Sequence, residues 1–165
     1  MRGKSDCNES FLAKGHNAYS CGVQKTSGDL PRRHLRMDVI EALYVKKWDL
    51  IVLHPPCTYL AVSGNRWYGK NADYTKRLSA VKWTQQLWDM ATSVCRKVCL
   101  ENPVGVLNSL GTFPKPQYIQ PWQFGHGEVK KTGLWLYNLP NLLPTNIVGG
   151  REARVWKMPP SANRA

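Results

Sequence analysis

Between residues 48 and 100 the chain reads as a strand, one long helix and a second strand, and few folds accept that order. Residues 48–53 form a near-continuous apolar run, the pattern of a strand buried on both faces, and Pro55-Pro56 ends it. From about 73 to 94, Leu78, Val81, Leu87, Trp88, Ala91 and Val94 recur at helical spacing, and residues 97–100 follow as the next strand. Upstream, residues 9–14 read as a short helix stopped by Gly15, residues 17–21 as a strand, and Asp38 as the cap of a helix running to Leu43. Downstream, residues 133–137 read as a strand, and the Pro-rich stretches 114–121 and 139–144 as loops. Strands alternating with helices predict an α/β fold with a largely parallel sheet.

A length of 165 residues predicts one domain, 1–165, large enough to bury its own core. No apolar run approaches the ~20 residues a bilayer requires, so no membrane span is expected. The polar start, Met1-Arg2-Gly3-Lys4, lacks a secretory signal, so the expected setting is the cytoplasm, with the five cysteines as free thiols. The net charge of +12 is the footprint of a polyanion binder, because each cation that neutralises a phosphate releases condensed counterions. Aromatics lie among the cations at Arg66-Trp67-Tyr68-Gly69-Lys70 and Tyr74-Thr75-Lys76-Arg77, a mixture suited to bases that have left the stack.

In parallel sheets reactive groups collect at the carboxyl ends of strands. Two polar clusters stand there: His54-Pro55-Pro56-Cys57-Thr58-Tyr59-Leu60 and Glu101-Asn102-Pro103. If the two strands are neighbours, Cys57 and Glu101 face one pocket, a nucleophile beside an acid. Each also has an inert reading. An apolar-flanked Cys is an ordinary core residue, Glu101 a solvated carboxylate, and Asn102 a turn residue before Pro103. His54 and His126 are candidates for proton transfer, although loop histidines are more often structural. Cys95 and Cys99 lack the second ligand pair of a zinc site, so no metal is expected, and Lys130-Lys131 are either phosphate contacts or a solvated turn.

The run Asp49-Leu-Ile-Val-Leu-His54-Pro-Pro-Cys57-Thr-Tyr-Leu-Ala-Val-Ser63-Gly64, with Leu100-Glu101-Asn102-Pro103, resembles the cytosine-5 DNA methyltransferases. The likeness is specifically to the short methylase-like proteins of phages and prophages. It continues through Gln120-Pro-Trp-Gln-Phe-Gly-His-Gly-Glu128 and Lys131-Thr-Gly-Leu-Trp-Leu136. The resemblance implies a Rossmann-like methyltransferase sheet with helices on both faces, DNA as partner and S-adenosylmethionine as cofactor. It also implies Cys57 attacking ring carbon 6 of a flipped cytosine, Glu101 at ring nitrogen 3, and Asn102 orienting the loop that carries Cys57. Asp38, Pro55 and Pro56 fall on the cofactor side, and Ser63, Arg66, Trp67, Lys70, Lys130 and Lys131 on the DNA side.

The departures gather on the cofactor side. The apolar first strand and its glycine-rich turn are missing or degenerate over residues 1–15, and Gly22 stands where the short relatives tend to carry Asp. No Pro-Gln-x-Arg-x-Arg element appears, with Arg66, Arg151 or Arg154 as substitutes, and there is no room for a separate target-recognition domain. The alternative is therefore an inactive, truncated methylase-fold DNA-binding protein. A sheet edge left open by the absent strand would suit self-association.

Overall fold

The computed structural model describes residues 7–25, 30–68 and 74–153. The chain divides into two compact units, residues 1–48 and 49–165.

The first unit opens with helix α1 (Cys7–Leu12). It ends two residues earlier than the periodicity predicts, and the chain turns out through Gly15, whose φ of +82° is left-handed and suits a residue without Cβ. Two short strands, β1 (Ser20–Cys21) and β2 (His34–Leu35), pair in parallel, Ser20 opposite His34 and Cys21 opposite Leu35. The His34 ring secures the connection. Its Nε2 lies 2.8 Å from the Gln24 carbonyl, which can only accept, so Nε2 carries the proton. In the neutral ring Nδ1 then accepts from the Ser20 hydroxyl at 2.9 Å. Helix α2 (Val39–Tyr44) begins where the sequence places it, with the Asp38 side chain accepting from the Ile40 N–H at 2.8 Å.

Cys21 shows how this unit tunes a thiol. Its Sγ donates to the Met37 carbonyl at 3.6 Å, and partial burial, then the nearby Asp38 carboxylate, push its pKa above the ordinary thiol value. Only the thiolate is alkylated, so at pH 8 Cys21 is expected to react with iodoacetamide severalfold more slowly than a free cysteine. Asp38→Asn keeps a good helix cap but removes the negative charge, and should recover part of the rate. Peptide mass spectrometry reads both. An unchanged or slower rate in the variant would contradict the assignment.

In the second unit, β3 (Ile51–Leu53), β4 (Val98–Pro103), β5 (Gln117–Ile119) and β6 (Thr132–Tyr137) form one sheet in the order β3-β4-β6-β5. A largely parallel sheet was expected, but only β3 and β4 run parallel; β4–β6 and β6–β5 are antiparallel. A parallel pair needs a crossover, and among the described elements only α4 (Tyr74–Val94) is long enough to make one. After β4 the described residues hold just the one-turn helix α5 (Leu107–Leu110) and a 3-10 turn (Pro121–Gln123), and β5 lies in the Pro-rich stretch expected to be loop. Between β3 and α4 stand a 3-10 turn (Val62–Gly64) and helix α3 (Asn65–Tyr68).

The buried stripe of α4 is Arg77, Val81, Thr84, Leu87, Trp88 and Ala91. Leu78 and Val94, both expected inside, are exposed, so the stripe begins one residue earlier, on a cation. The core of this unit holds Leu53, Leu60, Leu87, Val98, Leu100 and Leu107 with the rings of Trp88 and Trp135, and an edge-to-face aromatic chain runs from it to the surface: Trp88 against Phe113 and Tyr137, and Phe113 against Trp135, with centroids 6.0–6.4 Å apart. No described helix is long and apolar enough to cross a membrane.

Candidate active site at the strand ends

The parallel register Leu53↔Leu100 sets His54 beside Glu101, one step past the paired strands. The contact is direct, with His54 Nδ1 3.1 Å from Glu101 Oε2, the imidazole about half exposed and the carboxylate less so. Side chains alternate along β4, so Glu101 and Asn102 point to opposite faces. Asn102 shares the face of Val98 and Leu100 and is 1% exposed. Its Nδ2 donates to the Pro55 carbonyl at 2.9 Å. Its Oδ1 is buried without a hydrogen-bond partner in the protein, and Pro55 and Pro56 have no N–H to offer. Each strand-end motif is thus tied to the other, Glu101 to His54 on one face and Asn102 to Pro55 on the other.

Cys57 follows as a free, part-buried thiol. Its carbonyl accepts from the amides of Leu60 at 3.0 Å and Ala61 at 2.9 Å, which closes a turn and sends the chain back toward β4. There Val62 donates to the Val104 carbonyl at 3.0 Å and Val106 to the Leu60 carbonyl at 2.9 Å, around the antiparallel bridge Ala61↔Gly105. The approach is close enough to require glycine. A Cβ on Gly105 would lie 2.0 Å from the Leu60 carbonyl oxygen, and one on Gly64 would lie 2.7 Å from that of Thr58.

Under this loop lies the guanidinium of Arg77, which in the sequence stands in a run of cations mixed with aromatics. That residue is 2% exposed and spends its donors on the Tyr59 carbonyl (2.8 Å), Asn65 Oδ1 (2.7 Å) and the Ala61 carbonyl (3.3 Å). The signal for it was present as the 77, 81, 84, 88, 91 spacing, but a cation is not read as core. A feature without a sequence signal is an open depression of about 450 Å³ lined by Tyr59, Thr75, Lys76, Ser79 and Ala80. The Tyr59 ring that borders it packs edge-on against Tyr68, with centroids 4.5 Å apart.

The DNA-side candidates divide. Ser63 and Trp67 are exposed, Trp67 at 64%, beside the Cys57 loop in sequence. The Arg66 side chain and all of Lys70 and Arg154 lie outside the described residues. Lys130 and Lys131 precede β6, and because β6 is antiparallel to β4 with Thr132 opposite Pro103, they stand at the carboxyl end of β4. Lys131 Nζ sits 4.4 Å over the Tyr118 ring, and the Arg151 guanidinium 3.8 Å over the Trp122 ring. His126 is exposed.

The cofactor-side candidates are divided between the two units. Asp38 lies in the first unit, where one carboxylate oxygen is committed to the α2 cap, and Pro55 and Pro56 lie in the second. β1 has only two residues, and a Cβ on Gly22 would make just an ordinary contact, 3.7 Å from His34 Cε1, so no close backbone approach is reserved there. Among the described residues, no three His, Cys, Asp or Glu side chains converge as a metal would require. The chain matches no family model, no curated protein and no solved structure.

Proposed function

We propose that the chain is a DNA (cytosine-5) methyltransferase-like protein with a Rossmann-like sheet, in which Cys57 and Glu101 act together on a flipped cytosine. The observation that supports this reading is the double tie between the strand-end motifs, His54 to Glu101 and Asn102 to Pro55, across neighbouring parallel strands. It makes one rigid body of a nucleophile loop and an acid that lie far apart in sequence.

In the proposed reaction the Cys57 thiolate forms a bond to ring carbon 6 while the Glu101 carboxyl gives its proton to ring nitrogen 3. The carbon 5–carbon 6 double bond is lost, and the resulting enamine is nucleophilic at carbon 5. If carbon 5 takes a proton from water and then releases its original hydrogen, expulsion of the thiolate and return of the nitrogen 3 proton to Glu101 restore both cytosine and protein. His54, half exposed and bonded to Glu101, carries that carboxyl's proton to and from water. The exposed Ser63, Trp67, Lys130 and Lys131 meet the DNA. Gly22, where the resemblance puts an acid, and the two-residue β1 favour a second reading, a methylase-fold protein that binds DNA without transferring methyl groups.

Carbon 5 hydrogen exchange separates these readings because it needs no methyl donor. A cytosine-containing duplex deuterated at carbon 5 is incubated with the protein, with and without S-adenosylmethionine, and its nucleosides are weighed. Deuterium loss is the expected result. Methylation in addition would establish the full activity, whereas deuterium loss alone would mean that the cytosine chemistry survives without the cofactor. Salt-dependent DNA binding with neither reaction would establish the second reading and overturn the first.

A further inference from the structure

We infer that Arg77 is a positioning residue that holds residues 57–65 in working shape before any DNA arrives, so that the nucleophile stands on a fixed shelf and not on a flap that DNA must close. The inference rests on the reading of Cys57 as nucleophile, but the shelf itself is a property of the free protein.

A buried guanidinium is costly unless its donors are met, and carboxylates usually meet them. Among the described residues the acceptors of Arg77 are three neutral oxygens, all from one stretch of chain: Tyr59, Ala61 and Asn65. That is an expensive way to secure a surface turn, and the planar fork suits it because one rigid group can span acceptors two to six residues apart. Several of the loop's backbone groups are occupied as well. The amides of Leu60 and Ala61 go to the Cys57 carbonyl, that of Val62 to Val104, and that of Val106 to Leu60. Gly64 completes the fit, since a Cβ there would stand 3.4 Å from Arg77 Nη2 as well as against the Thr58 carbonyl. From Cys57 to Asn65 the chain is thus anchored from below by α4 and from the side by residues 104–106.

The first test is amide hydrogen exchange at Leu60, Ala61, Val62 and Val106 in the wild-type protein, with and without a mixed-sequence cytosine-containing duplex. Slowing of at least about 10²-fold relative to an unstructured chain is expected in the free protein, with no large further gain on adding DNA. Free-protein exchange at unstructured rates, slowed only by DNA, would overturn the shelf.

The second test is Arg77→Lys, which keeps a charge but cannot span three acceptors, with Arg77→Met beside it and thermal melting as the check on folding. The four amides should lose protection in the variants. The carbon 5 exchange rate at saturating duplex should fall by about 10²-fold, with the half-saturating duplex concentration unchanged. A rate that holds while half-saturation rises would make Arg77 a DNA contact and sink the positioning role. If the wild-type protein shows no carbon 5 exchange at all, the catalytic reading fails, and protection of the four amides still decides the shelf. If Arg77→Met does not fold, Arg77→Lys and the wild-type measurement carry the decision.

Discussion

Cys57→Ser is expected to abolish carbon 5 hydrogen exchange in cytosine, and Glu101→Gln to slow it by about 10²–10⁴-fold, the span of a lost general acid. The asymmetry follows from the chemistry. No other group in the loop can form the bond to carbon 6, and a serine hydroxyl is far less nucleophilic than a thiolate at neutral pH. Glutamine can still donate a hydrogen bond to nitrogen 3 through its amide but cannot surrender a proton, so residual exchange should survive. Neither side chain is part of the apolar core, and both variants should melt near the wild-type temperature. Undiminished exchange in Cys57→Ser would remove Cys57 from the mechanism, and equal rates in wild type and Glu101→Gln would do the same for Glu101.

Gly105→Ala is the second large effect, and it acts on stability. The added methyl would meet the Leu60 carbonyl oxygen at 2.0 Å, its carbon at 2.8 Å and the Ala61 Cα at 3.0 Å, all of them backbone atoms that cannot turn aside like a flexible side chain. To relieve the clash the chain has to give up the Ala61↔Gly105 bridge and the Val106 to Leu60 hydrogen bond. Overpacking and a lost hydrogen bond together cost about 2–4 kcal/mol, a fall of melting temperature on the order of 10 °C for a chain of this size. A calorimetric scan reads it. A change within a degree or two of wild type would mean that the two segments do not approach as described.

What the sequence makes legible depends on how local the determining physics is. Asp38 is read correctly as a cap because a carboxylate and the N–H two residues on settle the matter between them. The β3–α4–β4 unit is legible because apolar runs and helical spacing each operate within one element. Sheet order is different: nothing in Gly133-Leu134-Trp135 tells that β6 runs antiparallel to β4, since that depends on which edge is open once α4 has crossed. Gln117–Ile119 was hidden by the prolines on either side, which break a pattern without forbidding a short edge strand. Arg77 was missed for a third reason. Hydropathy ranks arginine as a surface residue, whereas the site needed its five donors inside. The two motifs point to Cys57 as the companion of Glu101, and the contact of His54 with Glu101 becomes visible only in the Leu53↔Leu100 register.

The parallel pair of the four-stranded sheet and the helix between its strands fall within one stretch of sequence, Ile51 to Pro103. During synthesis the whole of it emerges before any of β5 or β6, and its pairing requires no residue made later. Pulse-labelled refolding should accordingly protect amides of the Leu53–Leu100 region ahead of those in Leu134–Leu136, and the reverse order would refute this. The vulnerable interval is then the one in which β4 waits with its far edge unpaired, a template for any passing strand. On this view β6 is a latecomer that shields the completed β3–α4–β4 unit from misassembly.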